Sequence, residues 1–344
     1  MIRKIILFAF LIAVAFSGCI EEVPIDITNS QQFLVIDGSI SNNNGPHEVK
    51  ISNSGTFEND NFGFPEPVSG AMVTLFADNG DVVNFTEMEP GTYRIFNYQG
   101  VVGATYHIQV QMDEATYSSM PEKLLEPVEA LSITYKQDLV EFVNAQNNIV
   151  SKYTVTFLSN VALPEDPENV YLKYDVDGVY KFLDIGMFPS FCFIQDFIGA
   201  NNVSIFGNEN SAGSVLHDHE IITLDVNENF YYDYCVLVLQ QAITKNAYQY
   251  LEKLQQLTDR DGSLFDAPPG LLVGNINNVQ DSTETVLGYF RTTAIDSAKI
   301  FIERQKLLGA NTPLPCPEDV NGDPSSECFC VTKRHRIPEP PYWP

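Results

Sequence analysis

The chain has 344 residues, a hydrophobic content of 44% and a formal net charge of −26 at pH 7. A surface this acidic repels phosphate backbones, and a basic patch is the first requirement for nucleic-acid binding, so nucleic acid is excluded as a partner. The length and apolar content are sufficient for about two folded domains.

The first 18 residues have the organisation of a secretory signal peptide. Arg3 and Lys4 form a positive segment, and residues 5–16 form an apolar run that is too short to cross a bilayer as a permanent helix. The run ends in Ser17-Gly18-Cys19, which resembles the lipobox of bacterial lipoproteins. We therefore expect a signal peptide over 1–18 and a lipid on Cys19 that anchors the protein to the membrane without spanning it. The alternative is an ordinary signal peptide with Cys19 in a disulfide.

Residues 19–31 are predicted to form a lipidated tether. Cys19 is followed by Ile20, Glu21 and Glu22, and acidic residues at this place resemble the surface-export signal of Bacteroidota lipoproteins. The expected location is the outer membrane, on its exterior face rather than its periplasmic face.

Residues 32–126 are predicted to form an antiparallel β-sandwich of the immunoglobulin-like or transthyretin-like kind. Short runs of alternating apolar and polar residues follow one another, separated by clusters of turn residues such as Asn42-Asn43-Asn44-Gly45-Pro46 and Glu89-Pro90-Gly91. Short strands at this spacing are typical of sandwiches. The predicted strands include 33–36, 47–51, 72–76, 93–96 and 105–110.

Residues 127–307 are predicted to form a second β-rich domain with one clear helix. Ala247, Leu251 and Leu254 recur at helical spacing, which predicts a helix over 244–257. Strands are predicted over 131–135, 152–158, 169–176, 221–226 and 231–239, and two closing strands over 286–290 and 298–302. The Pro- and Cys-rich tail, 308–344, is expected to be pinned over this domain by disulfides.

Five cysteines remain after Cys19 in an exported chain, where disulfides are the default expectation. An odd number leaves one free thiol or an intermolecular bond. Cys328 and Cys330 are too close in sequence for an unstrained ring, so separate partners are expected for them, with Cys192 and Cys316 as candidates. A zinc site is the competing interpretation, and only His335 lies near the cysteine pair. The candidate disulfide residues are Cys192, Cys235, Cys316, Cys328 and Cys330.

Two kinds of segment carry residues that metals prefer. The run His217-Asp218-His219-Glu220 is a candidate metal or acid–base cluster, although a solvated turn before a strand is the favoured interpretation. Asp319, Asn321 and Asp323 match the start of a calcium loop, but Pro324 replaces the glycine that such a loop requires. Asp259-Arg260-Asp261-Gly262 is a second candidate for a calcium loop and is better explained as a turn. We expect no cofactor beyond the N-terminal lipid, with calcium a minor alternative.

No sequence signature of an enzyme is evident. A nucleophile elbow Gly-x-Ser-x-Gly is missing from the sequence, and 45 acidic residues make any single carboxylate pair uninformative. The aromatic segments Tyr231-Tyr232 and Phe188–Phe197 are able to stack on sugars, yet strand cores explain them more simply.

The order of several short segments resembles a Bacteroidota outer-membrane lipoprotein family of unknown function. The segments are Leu34-Val35-Ile36-Asp37-Gly38-Ser39-Ile40, Pro67-Val68-Ser69-Gly70-Ala71, Gly103-Ala104-Thr105-Tyr106, Pro268-Pro269-Gly270, Val286-Leu287-Gly288-Tyr289-Phe290 and the end Pro341-Tyr342-Trp343-Pro344. Members of this family are often encoded beside TonB-dependent receptors, so the resemblance implies an outer-membrane β-barrel partner. The cysteine-rich tail departs from the family pattern, which leaves the disulfide pairing open.

The sequence therefore predicts a non-catalytic lipoprotein that is an accessory or ligand-capture subunit on a TonB-dependent receptor or another β-barrel complex. The alternatives are a structural subunit of a larger outer-membrane assembly and a surface hydrolase of glycans or peptides.

Overall fold

A computed structural model describes residues 32–55, 64–163, 170–184, 190–199, 203–208, 215–258, 271–310 and 328–344. One compact unit comprises residues 33–53 and 67–344, and a second unit, 1–32 and 54–66, lies mostly outside the described ranges. Within these ranges, no helix combines the length and the apolar character needed to cross a membrane.

Up to residue 123, the residues that the structure describes form ten strands. They are β1 (Leu34–Ser41), β2 (His47–Asn53), β3 (Glu66–Pro67), β4 (Met72–Ala77), β5 (Val82–Asn84), β6 (Thr86–Glu89), β7 (Thr92–Ile95), β8 (Thr105–Met112), β9 (Ala115–Ser119) and β10 (Glu122–Lys123).

The second part contains longer strands, one 3-10 turn (Glu228–Phe230) and one α-helix, α1 (Lys245–Thr258). Its strands are β11 (Ala130–Val143), β12 (Ile149–Ala162), β13 (Val170–Asp184), β14 (Ser190–Asp196), β15 (Ser204–Asn208), β16 (Val215–Asp225), β17 (Tyr234–Ala242), β18 (Ile276–Asn278), β19 (Val286–Leu287), β20 (Phe290–Ile302) and β21 (Arg336–Ile337). The described part of the chain is thus mainly β with one clear α-helix, which confirms the predicted fold class.

A central sheet runs through both parts of the chain in the order β21-β14-β13-β17-β20-β1-β2-β7-β6. Strand β20 makes the link, because its first residues pair in parallel with β1, as Gly38 opposite Phe290. Its remaining residues pair antiparallel with β17, from Ala242 opposite Ala294 to Tyr234 opposite Ile302. A second sheet has the order β18-β9-β8-β4-β5, and there too a late strand, β18, pairs with an early one.

The two sheets enclose one hydrophobic core. Strand β8 alternates between buried and half-buried residues, as a strand with one face on a core does. Its buried residues Tyr106, Ile108 and Val110 belong to the same cluster as Ile36 and Ile40 of β1. The cluster continues into β12, β13 and β17, so the predicted boundary at 126/127 does not mark a break in the core or in the sheets.

A third sheet consists of β11, β12 and β16, with β11 at one edge. Strands β11 and β12 form a long hairpin that pairs from Ser132 opposite Asn160 to Val143 opposite Ile149. Strand β16 pairs with the other edge of β12 from Thr154 to Ala162. The hairpin therefore extends beyond its third strand.

Helix α1 and the C-terminal tail pack in two separate apolar clusters. Thr244 caps the helix, since its Oγ1 accepts a hydrogen bond from Ala247 N at 3.2 Å, and Ala247 and Leu251 are buried against Tyr171 and Tyr289.

In the tail, a Cys192–Cys330 disulfide and the pairing of β21 with β14 hold the chain in place. The Trp343 ring packs edge-on against Phe193 and Phe301, with ring centroids 4.8 and 5.3 Å apart. The prediction of a disulfide-pinned tail is confirmed.

Two closing strands are present, but their bounds differ from the predicted 286–290 and 298–302. Residues 290–302 form the single long strand β20, and only Val286–Leu287 forms a separate short strand. Gly288 explains the separation, because its φ of +90° is a conformation that breaks a strand, and a Cβ there would lie 2.1 Å from the Ile36 carbonyl oxygen.

Candidate docking arm

The part of the hairpin that extends beyond β16, residues 139–152, is here called the arm. Leu139 lies opposite Tyr153 and Val143 lies opposite Ile149, so these side chains share one face of the ribbon. Leu139, Val143 and Ile149 are 57%, 60% and 73% exposed. Three large aliphatic side chains on one face of the arm are therefore open to solvent.

The other face of the arm is also apolar. Val140 and Phe142 are exposed there, and the Lys152 ammonium lies 5.0 Å from the centroid of the Phe142 ring. Lys152 also donates a hydrogen bond to Asp225 at 2.7 Å. A two-stranded ribbon is marginally stable by itself in water, and this one presents apolar side chains on both faces.

The turn of the arm is formed by a dense set of local hydrogen bonds. Asn144 Oδ1 accepts from the backbone N–H groups of Gln146 and Asn148, at 3.0 and 2.9 Å. Asn147 has a φ of +59°, a conformation that Asn tolerates better than most residues. The five residues of the tip, 144–148, carry no formal charge and are polar apart from Ala145.

Polar contacts hold Lys136 and Gln137, the part of β11 just before the arm, which is here called the root. Lys136 forms an ion pair with Glu220 at 2.5 Å. The Gln137 side chain bridges to the backbone of Leu308, donating to its carbonyl oxygen at 2.6 Å and accepting from its N–H at 3.0 Å. In the described ranges, Asp138 and Glu141 form no ion pair, so two acidic groups remain exposed along β11.

The sequence patterns only partly indicated this arm. Strands were predicted over 131–135 and 152–158, yet β11 continues to Val143 and β12 begins at Ile149. A signal was present, because the polar segment 144–148 separates two short apolar runs, which is typical of a hairpin with a longer loop.

An ionic row lies on the central sheet, away from the arm. Arg291 Nη1 and Asp37 Oδ1 are 3.3 Å apart, and Asp175 accepts hydrogen bonds from Lys173 and Gln241. Burial lowers the pKa of Lys173. Burial alone would raise the pKa of Asp175, but the neighbouring Lys173 ammonium holds it below its ordinary value. Each basic group in the row is in an ion pair with an acidic one, and we assign the row to stability.

Glu122 is a buried carboxyl between the helix and the sheets. It accepts hydrogen bonds from the hydroxyl groups of Thr244 and Tyr289. Burial raises the pKa of Glu122, and the two hydrogen bonds oppose that rise. The group joins β10 to the beginning of α1 and to the residue before β20.

The run His217-Asp218-His219-Glu220 lies inside β16, so the interpretation as a turn before a strand is wrong. The strand is irregular at this place: its register with β12 shifts twice, and Asp218 has a φ of +51°. His219 packs on Tyr174 with ring centroids 5.4 Å apart. Among the described residues, no cluster of three or more His, Cys, Asp or Glu side chains has an arrangement that holds a metal ion.

The candidate cysteines have different fates. Cys192 and Cys330 are bonded to each other, Cys235 is a buried free thiol, and Cys328 is disulfide-bonded. Several other candidates lie outside the described ranges. They are the signal peptide and tether with Cys19, then Phe188, Asp259, Asp261, Cys316, Asp319, Asn321 and Asp323.

The aromatic segments are more exposed than strand cores would be. Phe191 and Phe197 are about half exposed, so the core explanation is wrong for both. The Arg304 guanidinium lies 5.1 and 5.0 Å from the ring centroids of Tyr231 and Tyr232. Stacking of these rings on sugars stays a prediction.

A family model described as "Domain of unknown function (DUF4249)" matches residues 20–299. No curated protein matches the chain.

Proposed function

The chain belongs to the DUF4249 family, whose function is unknown, and on that premise we propose that the mature protein is a non-catalytic accessory lipoprotein of the outer membrane. In this proposal, a lipid on Cys19 anchors the chain, and the folded part faces the cell exterior. There it docks on a β-barrel protein, in the first place a TonB-dependent receptor, as an accessory or ligand-capture subunit.

The exposed arm is the observation that carries the proposal. An apolar edge ribbon open to water promotes aggregation, and proteins usually cover or charge such edges. The arm has a well-formed turn and a fixed root, with five large apolar side chains exposed on two faces: Leu139, Val140, Phe142, Val143 and Ile149. A partner protein that packs on both faces would remove this apolar area from water.

The composition of the arm favours a protein partner over the lipid bilayer. The tip consists of polar residues, among them Asn144, Gln146, Asn147 and Asn148. Burying their amide groups in hydrocarbon without hydrogen-bond partners costs several kcal/mol each, on the order of 2–7.

The test is purification of the tagged, full-length protein from its native membranes in two mild detergents, with identification of what is recovered with it. A stoichiometric outer-membrane barrel supports the proposal. A Cys19→Ala variant lacks the lipid anchor, so less of it should be recovered with the membranes and with the barrel partner.

Two results would contradict the proposal. One is recovery of the protein alone in both detergents. The other is binding of the unlipidated protein to protein-free lipid vesicles through the arm, which would assign the arm to the membrane.

A further inference from the structure

The outer edge of β11 is a second feature of the hairpin, distinct from its two faces. Strand β11 has 14 residues and pairs with β12 alone. An antiparallel ladder uses the peptide groups on one side of each strand, so about half of the N–H and C=O groups of β11 point away from β12. In the described part of the chain, no backbone group pairs with that outer side.

After a register shift between Ala130 and Ser132, the edge has few of the devices that usually prevent pairing with another strand. Natural edges are protected by short length, proline, bulges or charged side chains, lysine above all. Strand β11 is long, contains no proline, and keeps a regular register from Ser132 to Val143. Its one lysine, Lys136, is already in an ion pair with Glu220.

We propose that this edge accepts an extended segment of a partner protein as an added antiparallel strand. This inference rests on the docking function proposed above. In this mode of recognition the backbone hydrogen bonds supply affinity and the side chains beside them supply specificity. The added strand would lie beside Leu139 and Val143 on one face and Val140 and Phe142 on the other.

The charges at the edge indicate the chemistry of the added segment. Asp138 and Glu141 are exposed, lie on opposite faces of β11, and form no ion pair within the described ranges. The segment is therefore apolar with basic residues, and it belongs to a different protein. A second copy would bring another chain with a charge of −26 to the same acidic edge.

The first test is amide hydrogen exchange of the full-length protein, alone and in the complex recovered from membranes. Amides of β11 that point outward should exchange about tenfold more slowly, or slower still, in the complex, because they become hydrogen-bonded. Exchange of these amides at equal rates in the two samples would overturn the inference while leaving the docking function intact. Recovery of no partner would remove the docking function and this inference with it.

The second test is reversal of the edge charges. An Asp138→Lys, Glu141→Lys variant should recover about tenfold less partner than the wild type. The matched control, Glu114→Lys with Glu126→Lys, changes the net charge equally at exposed positions away from the arm. Equal recovery from both variants would overturn the inference. A second result would also overturn it: the isolated wild-type protein forms dimers, and the Asp138→Lys, Glu141→Lys variant does not. The occupant of the edge would then be a second copy of the chain.

Discussion

Buried polar residues show how single side chains join distant parts of this fold. Glu122 is almost fully buried, and its carboxyl binds two hydroxyl groups that lie 122 and 167 residues further along the chain. Burial favours the neutral form of a carboxyl, whereas hydrogen bonds from hydroxyl groups favour the charged form. The raised pKa of Glu122 indicates that burial has the larger effect.

The raised pKa has a consequence for stability. Above the ordinary value of 4.5, the unfolded chain loses this proton while the folded chain keeps it, so stability falls as pH rises toward the folded pKa. A Glu122→Gln variant does not titrate here, and its free energy of unfolding should fall less between pH 4.5 and pH 8 than that of the wild type. Urea denaturation at several pH values measures the difference. Glu126→Gln, at an exposed position, is the control, and parallel profiles for the wild type and Glu122→Gln would contradict the account.

The disulfide is a second case in which single side chains stabilise the fold. The Cys192–Cys330 bond joins residues 138 positions apart, and closing a loop of this length restricts the unfolded chain. Replacing both cysteines with alanine should lower the free energy of unfolding by about 2–5 kcal/mol. Denaturant titration measures this, with Cys235→Ala as the control for loss of a buried sulfur. A double variant as stable as Cys235→Ala would contradict the assignment.

Among the secondary-structure elements, the regular ones were the easiest to predict. Helix α1 follows its predicted bounds within one residue, because a clear 3.6-residue period and the Thr244 cap are both local signals. Strand β16 was predicted to begin at residue 221 and begins at Val215, since a bulge conformation at Asp218 disguises the alternation. The arm was missed because its two strands are apolar on both faces, so they lack the alternation from which strands are predicted.

The arm also allows a prediction for the isolated protein. A Leu139→Thr, Val143→Thr, Ile149→Thr variant keeps β-forming residues while removing exposed apolar surface. Its free energy of unfolding should change by less than about 0.5 kcal/mol per site, and its aggregation on heating should be slower. Thermal unfolding with light scattering measures both. A loss of several kcal/mol would show that these side chains support the fold rather than an interface.

For the whole molecule, the order of pairing differs from the order of the sequence. Strands β20 and β18 come late in the chain and pair with β1 and β9 from its beginning. Local patterns identify strands but carry no information on such distant partners. The sequence therefore predicts a domain boundary near residue 127, where the sheets and the core are in fact continuous. The exposed arm continues from strands that contribute to this core, and the proposed docking function depends on that arm.

The most direct test of docking compares two triple variants of the full-length protein in native membranes. The arm variant is Leu139→Thr, Val143→Thr, Ile149→Thr, and the control is Val82→Thr, Val279→Thr, Val331→Thr, which alters equally exposed apolar residues elsewhere. The measurement is the amount of barrel partner recovered per molecule of tagged protein. The account predicts wild-type recovery with the control and at least about tenfold less with the arm variant, because the three substitutions remove apolar area whose burial stabilises the interface by about 25 cal/mol per Å². Equal recovery with the two variants would contradict docking through the arm.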